Sequence, residues 1–269
     1  MQLAGTGPAS RDAVERLWRP LGPLAGFALF AVALTAFWHY FLVAFDVPHY
    51  VMPSPARTWQ AFAESEGRIL AHTGFTVRSA LTGLVISTAI ALSLAAIFVN
   101  SRTATRAVLP LVIGLRTIPI VAVAPLIILI FGRDMGSSIA VVVISSFFPI
   151  MVNGMRGFGS TPANNLELMH VYGASRVQLF FKVRVPFALP FIFTGLRIAS
   201  AAGMLSAMLA EWLSGAPGLG LLILDSAALS DYGVLWSAVI ISMLLAFIVF
   251  GLTAAAERHF AGWARAPGR

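Results

Sequence analysis

Residues 161–190 read TPANNLELMHVYGASRVQLFFKVRVPFALP. The segment is polar, basic and rich in helix punctuation, and it lies between two apolar stretches. Thr161 is placed to cap a helix, with Pro162 at the first position, where a missing N–H costs nothing. That helix should run to about Tyr172, and Gly173 suits the left-handed residue that closes it. Ser175 then starts a second helix, and Gln178, three residues on, completes a capping box. Pro186 is expected to end or bend the second helix, and Pro190 to repeat the break. The stretch therefore predicts two short helices joined at a glycine and held at a membrane face.

The surroundings explain why a membrane face is expected. The chain has 269 residues, of which 58% are hydrophobic and 11% charged, with a mean hydropathy of +0.86. A soluble domain is usually about a quarter charged. One membrane domain follows, without a water-facing core. There is no cysteine, so disulfides and thiolate metal sites are excluded and the redox compartment is left open. The net charge of +7 comes almost wholly from arginine, since Lys182 is the only lysine. The arginines are scattered among the loops, which suits anionic headgroups and argues against nucleic acid.

Upstream of the segment, residues 1–19 are polar and residues 20–45 carry no charge, a stretch of 26 residues. At ~1.5 Å per residue that exceeds a ~30 Å hydrocarbon core. It lacks the short apolar core and small-residue cleavage site of a signal peptide, so a retained first span is expected. Pro53 and Pro55 mark a turn, and a short amphipathic helix with Trp59, Phe62 and Leu70 should follow. The second span is charge-free over residues 79–101. The third is interrupted: only 16 uncharged residues separate Arg116 from Arg133, and Pro119 and Pro125 lie between them. Broken backbone at membrane depth is tolerated where protein buries it or a water cavity needs it. Arg116, Pro119 and Pro125 therefore read either as a wall of a translocation path or as a packing kink.

The fourth span lies within residues 135–155, with Pro149 near its end. Downstream of the segment, residues 191–213 form the fifth. There Gly195, Ala199, Gly203 and Ala207 recur at every fourth position, a stripe that lets another helix approach closely, most simply within the same chain. Arg197 and Glu211 are 14 residues apart, hence ~21 Å along a helix, so each needs a partner elsewhere. Residues 215–220 hold Gly215, Pro217, Gly218 and Gly220, an irregular turn before an apolar piece too short to span. Residues 232–256 form the sixth span. The expected division is a tail over 1–23, a transmembrane domain over 24–256 and a tail over 257–269.

Six spans put both termini on one side. On that face the tails, the Arg102/Arg106 loop and the 156–184 region carry 12 basic residues, against 3 on the other face, with Arg78, Arg116 and Arg197 left aside as span-end residues. The excess predicts that the termini and the 161–190 segment are cytoplasmic.

The segment also resembles the cytoplasmic coupling loop of ABC importer permeases, whose pattern is E-A-A, three residues, G, nine residues, I-x-L-P. Glu167 and Gly173 have that spacing, and Val183, Arg184, Val185 and Pro186 follow at the right distance. Leu168 and Met169 replace the two alanines, and valines replace isoleucine and leucine. MPSP at 52–55, LRTIPIVAVAPLIILIFG at 115–132, FFPIMVNGMRG at 147–157 and AEWLSGAPGLGLLI at 210–223 look like the branch that imports nitrate, sulfonates such as taurine, and pyrimidine precursors. The resemblance implies an all-α, type I ABC importer permease fold with about six spans in the bacterial inner membrane. It implies a permease pair, expected as a homodimer, a periplasmic binding protein that delivers a small, anionic solute, and two cytoplasmic ATPases that hold ATP and Mg. Glu167, Tyr172, Gly173, Ala174, Ser175, Val177, Phe180, Phe181 and Pro186 would form the ATPase-coupling surface. Arg116, Pro119, Pro125 and Glu211 would border the path.

The residues themselves exclude several chemistries. A phosphate-cradling loop needs glycines followed by Lys-Ser/Thr, which neither residues 215–220 nor Phe181–Lys182–Val183 supply. His39, His49, His72, His170 and His259 show no metal-ligand spacing. No cofactor of its own and no catalytic group are expected. One different class stays open, a secondary transporter driven by an ion gradient, which would need an intramembrane acid; Glu211 is the one candidate.

Overall fold

The structure is a computed structural model that describes residues 8–115 and 117–262. Arg116, Arg265 and Arg269 lie outside the described residues. All elements among the described residues are helical. In chain order they are α1 (Pro8–Ala44), α2 (Pro55–Glu64), α3 (Glu66–Phe98), α4 (Arg102–Leu115), α5 (Ile120–Phe131), α6 (Met135–Gly159), α7 (Ala163–Val171), α8 (Arg176–Leu179), a π turn (Phe180–Arg184), α9 (Val185–Ser214), α10 (Leu219–Ala228) and α11 (Tyr232–Ala261).

Among the described residues, four helical stretches are long and apolar enough to cross a membrane: Glu66–Phe98, Met135–Gly159, Arg176–Ser214 and Tyr232–Ala261. Two more expected spans take other forms. The first lies within α1, whose apolar part is Ala28–Ala44. The third is split into α4 and α5. Pro119 makes the split, standing in extended conformation (ψ 118°) just before α5. Pro125 does not interrupt its helix; it lies inside α5. A proline there removes one ladder bond but need not end a helix that its neighbours support. Pro149 likewise lies inside α6.

α6 is the central helix, packed between α3 and α9. Small residues make that contact close. Ala199 and Ala207 on α9 are completely buried. A Cβ on Gly195 would sit 3.0 Å from the Pro149 carbonyl oxygen, and one on Gly203 would sit 3.0 Å from Ser146 Oγ. The every-fourth-residue stripe is thus an intramolecular seam between α9 and α6. Two hydroxyls cross the bundle to backbone: Ser87 Oγ donates to the Val143 carbonyl at 3.0 Å, and Ser146 Oγ to that of Ala199 at 3.3 Å. In an apolar medium such bonds help to fix helix register.

The bundle has two distinct ends. At one, α3 and α6 finish, α7 and α8 sit, and the C-terminal part of α11 meets α9: Phe193 stacks on Phe260, and Arg197 pairs with Glu257. So Arg197 finds its partner on α11. At the other end lie α2 and α10. Ser54 caps α2 by accepting from Arg57 N, and Asp231 caps α11 by accepting from Val234 N at 3.2 Å. Asp231 also meets Arg68 at 3.4 Å with both side chains well exposed, a pair that adds little stability.

Candidate functional site

The 161–190 segment folds as two arms, and the bend between them follows from local chemistry. α7 spans Ala163–Val171. Gly173 has φ +66°, and its N–H donates to the His170 carbonyl at 3.0 Å while Ala174 N–H donates to that of Met169 at 3.0 Å. This is the paired closure of a helix end by a left-handed residue, which glycine adopts without a Cβ penalty. Ser175 opens the second arm. Its Oγ accepts from Gln178 N at 3.2 Å, and its own N–H donates to Gln178 Oε1 at 2.9 Å. The expected capping box is complete.

Two local expectations are corrected. Thr161 does not cap α7; Pro162 is the N-cap residue, in extended conformation, and no side chain caps the helix. Nor does Pro186 or Pro190 end the second arm. Residues Arg176–Ser214 form one continuous helical stretch of 39 residues. The physical reason is the π turn at Phe180–Arg184. The wide turn, in which Val185 N–H donates to the Phe180 carbonyl, makes room for the Pro186 ring, and the one missing donor is tolerated within the helix. The second arm is therefore the leading end of a membrane helix and not a separate short helix.

The π turn also divides three residues that helical spacing puts on one face. Phe180 is half-buried, its ring 5.1 Å from that of Phe158 at the end of α6. Val177 and Phe181 point outward, 65% and 66% exposed. Leu168, Val171 and Tyr172 are also exposed, at 54%, 84% and 77%. Glu167, Gly173 and Ser175 are exposed, while Ala174 and Pro186 are half-buried. The two-arm element thus presents an apolar tip with Glu167 on its first arm.

The expected path residues that are described, Pro119, Pro125 and Glu211, are not brought together. Pro125 borders a cavity of about 360 Å³ with Leu129, Arg133 and Leu213. Pro119 is exposed at the break. Glu211 is completely buried and belongs to a closed network. Thr76 Oγ donates to Glu211 Oε2 at 2.9 Å, and Ser79 Oγ approaches Oε1 at 3.4 Å. Gly220 N–H donates to the same carboxylate at 3.1 Å, and Leu219 N–H donates to Thr76 Oγ at 2.9 Å. His72 Nδ1–H donates to the Gly218 carbonyl at 2.9 Å. An oxygen acceptor on the Gly220 N–H, in the first turn of α10, suits the helix dipole.

This network explains residues 215–220. Gly215 closes α9 with φ +74°. A Cβ on Gly218 would collide with the Glu211 carboxylate, and one on Gly220 with the Met208 carbonyl oxygen. The glycines let α10 fold back against α9. Thr76 and Ser79 are the residues that sequence reasoning missed. The available signal was an acid in an apolar span, which demands hydroxyl or N–H donors on a neighbouring helix.

Comparison with known proteins agrees with this architecture. Residues 87–262 match the family described as binding-protein-dependent transport system inner membrane component. The riboflavin transport system permease protein RibX of Chloroflexus aurantiacus is 33% identical over 254 residues, covering 93% of this chain and 94% of RibX. The formylaminopyrimidine transport permease protein ThiX of Halalkalibacterium halodurans is 34% identical over 208 residues, covering 77% and 81%. The putative aliphatic sulfonates transport permease protein SsuC of Bacillus subtilis is 27% identical over 215 residues, covering 79% and 78%. In fold, 75% of the chain superposes on 96% of a chain of the MetNI methionine ABC transporter in an inward-facing conformation, at a TM-score of 0.57 and 19% identity. The chain belongs to the binding-protein-dependent transport system inner membrane components, the multi-pass permeases of ABC importers.

Proposed function

We propose that the chain, as one of two permease subunits, forms the path of an ATP-driven importer and receives its driving motion through residues 161–184. The observation that carries this reading is the unbroken stretch Arg176–Ser214. Its leading end is the second coupling arm, and its body packs against α6. A push on Val177 or Phe181 is therefore a push on a membrane helix. In this proposal the exposed tip seats in a cleft of a cytoplasmic ATPase, and Glu167 pairs with a cation there. Closure of the ATPases on ATP, with Mg bound to them and not to this chain, swings the permeases from inward-open to outward-open. A periplasmic binding protein then delivers the solute. The excess of basic residues at the coupling end supports a cytoplasmic location for that end and for both termini.

Two cargo classes have support. Sequence blocks and SsuC favour a small sulfonate or nitrate-like anion. A second reading, a neutral heterocycle, is favoured by the higher identity of RibX and ThiX, 33% and 34% against 27% for SsuC. It gains from Arg197, a cation suited to an anion, being engaged by Glu257. The gradient-driven alternative loses its motive, because Glu211 is engaged by Thr76, Ser79 and Gly220.

The test is reconstitution. The purified chain should hydrolyse no ATP alone. Proteoliposomes holding chain and ATPase, with binding protein outside, should import cargo with ATP inside and an ionophore present. Uptake driven by a proton gradient without ATP would sink the proposal. A thermal-shift screen of the binding protein with riboflavin, a formylaminopyrimidine, taurine and nitrate decides the cargo class.

A further inference from the structure

The hydroxyl that does not cap α7 lies at a cavity instead. Thr161 is only 9% exposed, and its Oγ has no hydrogen-bond partner among the described residues. It lines a cavity of about 420 Å³ together with Arg106, Phe158, Ala163, Leu166 and Arg184. Arg184 brings a second unmet demand, since its buried Nε and Nη1 also lack an acceptor among the described residues. Ala163 is the first residue of α7, whose N-terminus no side chain caps. Arg106 adds positive charge from α4. Among the described residues, no lining residue is acidic; Glu167, the acid of α7, is exposed and does not border the cavity.

These groups share one requirement. A buried hydroxyl, a half-buried guanidinium and a bare helix N-terminus are all donors, and buried donors without acceptors are costly. Two arginines lining one space, with no carboxylate among the described residues beside them, also call for negative charge. A tetrahedral oxyanion meets both needs, because its oxygens match the fork of a guanidinium and accept from hydroxyl and backbone N–H together.

We propose that this cavity binds a phosphate-class oxyanion, supplied either by an anionic lipid headgroup or by free phosphate. The site lies at the root of the coupling element. Thr161 and α7 belong to the first arm, Arg184 to the π turn of the second, Phe158 to α6 and Arg106 to α4. A bound anion ties both arms to the bundle and stiffens the joint through which the element moves. The site is independent of the imported solute and does not depend on its class.

The experiment uses the full chain purified with its ATPase partner. Thermal unfolding is followed with inorganic phosphate, with phosphatidylglycerol micelles and with phosphatidylcholine micelles at matched ionic strength. The expected result is a rise in Tm with phosphatidylglycerol or with phosphate, and none with phosphatidylcholine. A response to phosphatidylglycerol alone assigns the site to lipid; a response to phosphate assigns it to a free anion. Arg184→Gln and Thr161→Val should each weaken binding about tenfold or more, while Arg176→Gln on the exposed face of α8 should leave it unchanged. Thr161→Val keeps the side-chain shape and decides the matter if Arg184→Gln does not fold. The proposal is overturned if neither anion raises Tm, or if Thr161→Val responds as the parent does.

Discussion

Gly173→Val should abolish uptake while the chain still reaches the membrane at near-normal level. Gly173 has φ +66°, and a Cβ there would meet nothing within 4 Å. The cost is therefore backbone strain alone, ~1–2 kcal/mol, which is enough to shift the bend but not to unfold a bundle. Relieving it swings the first arm relative to the second and displaces the apolar tip. Because the defect is conformational, its severity should follow tolerance of the left-handed region. Gly173→Asn should keep most activity, Gly173→Ala less and Gly173→Val little or none. Glu167→Lys should also lower uptake, by reversing an exposed charge without disturbing the bend. The measurement pairs membrane level by immunoblot with uptake and with co-purification of the ATPase. Normal uptake by Gly173→Val with the ATPase bound would make the element a mere connector.

Glu211→Ala should cost stability, in contrast to Gly173→Val. It leaves the buried N–H of Gly220 without its acceptor and the Thr76 hydroxyl with the His72 carbonyl alone, a loss of roughly 2–3 kcal/mol. By the usual scaling that lowers Tm by roughly 5–10 °C. Gly220→Ala should have a comparable effect by another route, since its Cβ would force α10 away from the Met208 carbonyl. Glu211→Gln separates the latch role from proton coupling. It keeps an acceptor oxygen, so the latch account expects a milder loss of Tm and retained ATP-driven uptake. Loss of all uptake with an unchanged Tm would instead mean that the charge itself is used in transport. Thermal unfolding of the purified chain and uptake in cells supply the two readings.

The two mutants act at opposite ends of the bundle, and the ends differ in how legible they are. The bend at Gly173 and the box of Ser175 and Gln178 depend on residues within a few positions of each other, so spacing alone exposes them. The apolar spans are equally plain, because a bilayer demands length and composition. Pro186 misled because a π turn, which propensity does not announce, makes room for its ring. The same turn separates Phe180 from Phe181, neighbours that helical spacing treats alike. The Glu211 latch depends on Thr76 and Gly220, which lie 135 positions before it and 9 after. Their meeting is a tertiary event. The acid announced that it needed partners, and the glycines that something approached closely, but neither named the other.

A single-cysteine cross-linking experiment tests the central claim most directly. The chain has no cysteine of its own, so every adduct reports an introduced site. Tyr172→Cys and Phe181→Cys lie on the exposed tip, and Ala56→Cys lies on the exposed surface of α2 at the far end of the bundle. Each variant is labelled with a short photoactivatable maleimide in the assembled transporter, irradiated and probed for the ATPase. The account predicts a permease–ATPase adduct from Tyr172→Cys and Phe181→Cys, none from Ala56→Cys, and a yield at the tip that changes between nucleotide-free and ATP-bound states. Absence of the adduct at both tip positions, or an equal yield from Ala56→Cys, would contradict it.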